Sequence, residues 1–383
     1  MKKIFYAGIF GLILFEIANV FFIMPMPGSQ EIQSIDVAYF LYTWRWVFRI
    51  GLGLLAAFSF FKTTWIKKWL PLSMVGIFGG VAYMVNFTMA ADTMFYQPTQ
   101  VLMKSSLENK VESSRLIIGI ERNGAAKAYP IQFIGYHHQV LDTLAGSPVM
   151  VTYCTVCRTG RVYEPRVNGQ NETFRLVGMD HFNAMFEDKT TGSWWRQATG
   201  EAITGKLKGT LLPEFPSAQM GLNQWIALHP NTFIMQPDPR FQAKYDSMSV
   251  YETKGKSDLT RTDTLSWQRK SWVVGIKIQG ASKAFDWNRL KKEGVINDFV
   301  GKTPIVVALA SDKKSFVAFE RPSISTVFII RNDTLINGNL MYNFKGNALS
   351  STLSVSSTNL KPINAYQEFW HSWQTFNRYT ERY

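Results

Sequence analysis

The stretch "IIGIERNGAAKAYP" at 117–130 returns, with substitutions, as "VVGIKIQGASKAFD" at 273–286. At the same offset "VLDTLAGSPVMV" (140–151) falls on "INDFVGKTPIVV" (296–307). Gly119 then matches Gly275, Lys127 matches Lys283, Asp142 matches Asp298 and Pro148 matches Pro304. Ungapped agreement over this length reads as an internal repeat, the mark of a duplicated structural unit. Further on, "GEAIT" (200–204) resembles "GNALS" (346–350), and "WIALHPNT" (225–232) resembles "WQTFNRYT" (373–380). The expected fold class is therefore α+β, with a β-rich soluble region made of two tandem related copies. The first spans 113–236, the second 272–383, and a polar connector at 237–271 joins them.

Within the copies, "RLIIGIERNG", "KAYPI", "SPVMVTY", "GRVYEPRVNGQNETFRLVG" and "STVFIIRNDTLIN" are short β-branched or aromatic runs that read as strands. "VNGQ" and "NDT" supply tight-turn chemistry between them. Helices are expected at 217–228 and 363–378. The repeat also acts as an internal control. Cys154 falls opposite Ala310, Cys157 opposite Lys313, His137 opposite Glu293 and His138 opposite Gly294. Scaffold glycines and prolines recur in both copies, whereas the Cys/His set belongs to the first alone. The second copy reads as degenerate, and the chemistry is placed in the first.

Ahead of the copies lie three apolar runs, at 4–23, 38–61 and 71–90, each of membrane-spanning length. Residues 1–93 thus read as a membrane anchor of three transmembrane helices, with the lipid bilayer as first partner. Lys2 and Lys3 precede the first run, and Lys62, Lys67 and Lys68 fill the loop before the third. By the positive-inside rule the N-terminus is cytoplasmic and the C-terminal domain extracytoplasmic, periplasmic where the cell has an outer membrane. Glu16 sits in the first run, Arg45 and Arg49 in the second. Glu16 and Arg45 lie at similar depth and are expected to pair, with Arg49 sharing the acid. The formal charge of +13 comes from dispersed residues, which argues against a nucleic-acid partner.

The two cysteines of the chain form one C-x-x-C, Cys154 and Cys157. Two thiolates on one turn reach a single metal ion, and imidazoles complete a trigonal or tetrahedral site. His137, His138 and His181 are the candidate imidazoles. Soft sulfur ligands with Met179 and Met185 nearby point to copper, with zinc as the fallback. The competing reading is a thiol–disulfide oxidoreductase acting on a redox partner through the same cysteines. A third is a non-catalytic subunit of a membrane complex, docked through Glu16, Arg45 and Arg49. Asp180, Trp195, Arg196 and Gln197 are candidates for lining a pocket near the cysteines. Nucleotide-binding glycine loops, G-x-S-x-G and H-E-x-x-H are absent from the sequence.

The strings "YHHQVLDTLAGSPVMVTYCTVCRTGRVYE", "DKTTGSWWRQATGEAITGKLKGTLL" and "WIALHPNT" resemble the domain of unknown function 3179 family. Its patterns are W-H-E, T-Y-C-P-L-C-x-T-G, L-W-x-Q-x-x-G-x-A-x-x-G and W-x-x-x-H-P-x-T. The resemblance covers the first copy well and the second as a degraded version. Matched residue by residue, it implies a site at His137, Cys154, Cys157, Thr159, Gly160, Trp195, Gln197 and Gly200. The chain departs from the pattern at Tyr136, at His138 in place of Glu, at Thr155 in place of Pro, and at His181 in place of Asn. The family name carries no activity, so the resemblance speaks for site location and not for a reaction.

Overall fold

Asn123-Gly124 and Gln279-Gly280 all take positive φ and turn each of the matched stretches back on itself as a hairpin. The computed structural model describes residues 1–249, 251–252, 255, 257–349 and 359–383. Positions 250, 253, 254 and 256 of the expected connector lie outside the described residues, as do Ser350 of "GNALS" and 351–358. The chain divides into two units. One comprises Met1–Tyr96, Glu172–Arg196 and Glu201–Leu211; the other comprises Gln97–Asn171, Gln197–Gly200 and Leu212–Tyr383. The fold is mixed α+β and rich in short strands.

In the second unit the strands Leu116–Arg122 and Ala125–Pro130 form the first hairpin. They are joined on one side by antiparallel Ala218–Gly221 and on the other by parallel Phe233–Met235, with Met103–Ser105 at the edge. The helix Ile131–His137 follows, then the antiparallel strands Gln139–Leu144, Ser147–Cys154 and Thr159–Tyr163. The later half has the same order. Trp272–Ile278 and Ala281–Asp286 pair, flanked by antiparallel Ala365–Phe369 and parallel Glu381–Arg382. Then come the helix Trp287–Glu293 and the strands Val295–Val300, Thr303–Leu309 and Phe316–Glu320. Gly119 and Gly275 lie under the indoles of Trp225 and Trp373, where a Cβ would overlap the ring. Matched ion pairs, Lys127–Asp142 at 2.8 Å and Lys283–Asp298 at 2.7 Å, tie hairpin to sheet in each half.

The expected helices are shorter than read. Only Leu222–Leu228 and Trp370–Phe376 are helical. Ala218–Gly221 and Ala365–Phe369 are strands instead, because they satisfy the otherwise open edges of Leu116–Arg122 and Trp272–Ile278. The helices Ile131–His137 and Trp287–Glu293 were not foreseen. Each starts directly at a strand end, the first behind Pro130, the second capped by the Asp286 carboxylate, which accepts from Arg289 N–H.

In the first unit, Lys2–Phe21 and Trp69–Thr88 are long and apolar enough to cross a membrane. The other apolar run breaks into Ile35–Thr43 and Arg45–Phe61, bent by 59°. At the break the Arg45 guanidinium folds back to the Tyr42 carbonyl (2.6 Å) and lies over the Tyr42 ring. A side chain bonded into the carbonyl ladder bends a helix. The expected Glu16–Arg45 pair is accordingly replaced. Arg49 Nε meets Glu16 Oε1 at 2.7 Å, Arg49 Nη2 meets Oε2 at 2.8 Å, and Asn86 bridges both partners. Burying a carboxylate among apolar helices requires such pairing. The same unit holds a four-stranded antiparallel sheet, in the order Ala202–Thr204, Trp194–Arg196, Asn183–Asp188, Phe174–Asp180. Val177, Met185, Trp194 and Ile203 on it pack with Ile23 and Ala38.

Candidate functional site

Strand pairing of Cys154 with Thr159 closes a four-residue turn, 155–158, between two buried strands. Arg158 takes φ 56° to complete it. Neither cysteine is in a disulfide, and both lack solvent exposure. Their side chains meet, and burial, then that contact, pushes the Cys157 thiol up. The chain after the turn is a strand, so the turn does not open a helix.

The Ser372 hydroxyl lies beside the Cys157 thiol and lowers it against the larger effect of burial, which brings the short helix of the second half to the site. Ser372 Oγ donates to Glu368 Oε2 at 2.6 Å, and Glu368 Oε1 accepts from Arg161 Nη2 at 2.6 Å. Arg161 further donates to Thr159 Oγ1 and the Gly160 carbonyl. Phe369 N–H donates to the Cys157 carbonyl at 3.0 Å. A hydrogen-bonded chain thus runs from the hydroxyl beside the thiol to a buried carboxylate paired with a guanidinium. Glu368 lies in the strand Ala365–Phe369 and Ser372 in the helix that follows it, within hydrogen-bond reach of each other. Sequence reading missed Arg161, Glu368 and Ser372. The signal available was the acid inside the aromatic string "QEFWHSW", a burial pattern that demands a cation partner.

Gln197 lies beneath the turn. Its Nε2 donates to Thr152 Oγ1 and to the Thr159 carbonyl, both at 3.0 Å, and Tyr163 OH donates to its carbonyl. It positions the strand pair beneath the turn. Arg158 is buried, lies 3.6 Å over the Tyr251 ring and donates to the Thr260 carbonyl.

The expected imidazoles do not converge. His137 Nε2 meets Tyr245 OH at 2.7 Å, among the rings of Tyr136 and Phe241. His138 takes φ 60° at the helix end; its Nδ1 faces the Tyr136 carbonyl and its Nε2 reaches the turn at Thr155 Oγ1, 3.5 Å away. Burial pushes it down to about 4, helped by His137 and partly opposed by that carbonyl, so it is neutral. His181 belongs to the other unit, with Asp180 at 2.6 Å and Gln33 at 3.0 Å. There Asp180 also takes Arg196; burial pushes its carboxyl up, but His181 and Arg196 together hold it below the usual range. Trp195 in that unit donates to Asp188. Among the described residues, no group of three or more His, Cys, Asp or Glu is arranged to hold a metal ion. The arrangement is a two-thiol centre, not a Cys/His cluster.

No curated protein and no solved structure matches the chain. A family model described as "Protein of unknown function (DUF3179)" matches residues 97–380, which include the turn, its Gln197 support and the Arg161–Glu368–Ser372 chain. The protein belongs to the DUF3179 family.

Proposed function

We propose that this is a membrane-anchored protein whose extracytoplasmic domain holds a soft metal ion, copper(I) before zinc, between the thiolates of Cys154 and Cys157. The observation that carries the reading is the mutual contact of two buried thiols at one turn, with the hydrogen-bonded pair Ser372 and Glu368 beside them. Two thiolates suffice for a soft ion, so the imidazoles are not needed as ligands. Binding exchanges two S–H bonds for two S–metal bonds and releases two protons. One leaves by way of Ser372 toward Glu368. The Arg158 guanidinium offsets the negative charge that two thiolates on a monovalent ion leave behind. Thiol–disulfide exchange with a partner ranks second. It is favoured by the same contact, but it asks for an exposed, acidified thiol.

The domain is read as an internal duplication, 113–236 and 272–383, supported by the matching order of strands and short helices. The bent pair Ile35–Thr43 and Arg45–Phe61 serves as the third span, which places residues after Phe95 outside. The test is made on the full-length chain in detergent, reduced and free of oxygen, measuring bound metal beside free thiols. One ion per chain, absent from Cys154→Ser, supports the metal reading. No metal, with two thiols that disappear together on oxidation, supports the second. Metal retained in Cys154→Ser removes the turn as the site.

A further inference from the structure

A cavity of about 270 Å³ lies in the second unit, away from the cysteine turn, between the hairpin sheet of the first half and the strand Phe316–Glu320 of the second. Trp225, Phe319 and Phe344 make it largely apolar, and its charged or ionisable lining consists of Glu121, His229 and Lys345. The volume is at the small end of ligand sites, and an apolar body with few convergent polar groups is their usual chemistry.

His229 is the informative residue. It ends the helix Leu222–Leu228 with φ −133° and ψ 72°, and Asn377 ends Trp370–Phe376 with φ −133° and ψ 68°. The neighbours match as well: Trp225 Nε1 donates to Thr232 Oγ1, and Trp373 Nε1 donates to Thr380 Oγ1, both at 2.8 Å. Asn377 spends its amide on the Trp373 carbonyl at 3.0 Å, a purely local bond. His229 instead stacks on Trp225 at 4.0 Å, and neither ring nitrogen has a hydrogen-bond partner among the described residues. The framework therefore closes without an imidazole, and the first half has one facing a cavity.

We infer that this cavity is a binding site for a small apolar monocarboxylate, whose body lies against Trp225, Phe319 and Phe344 and whose carboxylate meets His229 N–H and the Lys345 ammonium. The sign of the head group follows from the charges. Burial, then Lys345, keeps His229 neutral and able to donate, and Lys345 acts on it more strongly than Glu121 does. Glu121 Oε1 is turned to Gly124 N–H at 2.9 Å, within its own hairpin. A buried carboxylate that accepts from a charged donor forms the stronger class of hydrogen bond.

The probe is 4-fluorobenzoate, followed by ¹⁹F line broadening on the full-length chain, with 4-fluorobenzyl alcohol as the neutral counterpart. Saturable binding is expected, at least tenfold weaker for the alcohol and at least tenfold weaker in both His229→Asn and Lys345→Gln. His229→Asn installs the residue of the second half and keeps the helix end; Lys345→Gln decides the matter if that variant fails to fold. No saturable binding to the native chain, equal binding of the alcohol, or unchanged affinity in the folded variants overturns the assignment. The site is independent of Cys154 and Cys157, so the Cys154→Ser chain should bind the probe unchanged.

Discussion

The turn at 155–158 and the turn after Leu309 are built on the same strand framework and end differently. In the later half Ser311, Asp312 and Lys313 are exposed, and Asp312 accepts from Lys314 N–H, Ser315 N–H and the Ser315 hydroxyl. In the first half Val156, Cys157 and Arg158 of the turn are buried, with buried Cys154 just before it and buried Arg161 just after it. A hairpin of this kind needs no cysteine to close. What the first turn has in addition is sulfur, the Ser372–Glu368 pair and a guanidinium, none of which the later turn needs in order to form.

That contrast predicts unequal costs. Glu368→Gln leaves Arg161 charged and buried without its partner, which should destabilise the domain by about 3–5 kcal/mol. The urea midpoint of the variant reports it. A loss near that of an exposed pair, below about 1 kcal/mol, would break the contrast.

Acid comes next. His138 is pushed down to about 4 when folded and returns to about 6.5 when unfolded. The unfolded chain therefore binds more protons between these values. Stability present above about pH 6.5 is lost as pH falls toward 4, by at most about 3 kcal/mol. The difference in urea midpoint between the native chain and His138→Gln, taken at pH 7 and pH 4.5, isolates the histidine.

The double variant Cys154→Ala, Cys157→Ala should stay folded, with a loss of about 2 kcal/mol from small cavities. Complete unfolding would mean that the thiols hold the turn after all. The smallest effect falls on the other turn. Asp312→Ala removes three local side-chain bonds at an exposed site and should cost about 1 kcal/mol, with thiol reactivity unchanged.

The repeated stretch made the hairpins, their Asn-Gly and Gln-Gly turns, and the Lys–Asp pairs legible, because each is written in adjacent residues. The cysteine turn was legible as a spacing. Its surroundings were not. Glu368 and Ser372 reach Cys157 from the far end of the chain through the pairing of Ala365–Phe369, and no local pattern carries that contact. The histidines misled for the opposite reason. His137 and His138 neighbour the turn in sequence, but the unforeseen helix Ile131–His137 turns His137 to Tyr245. In the N-terminal unit Arg45 and Arg49 both suited Glu16 by depth, and only the break at Trp44 separates them.

X-ray absorption at the copper edge, on the full-length chain loaded with one equivalent of copper(I), addresses the central claim. The account predicts a shell of two sulfur neighbours without nitrogen, lost in Cys154→Ser and intact in His137→Gln. A shell dominated by nitrogen or oxygen, or one that survives Cys154→Ser, would contradict it.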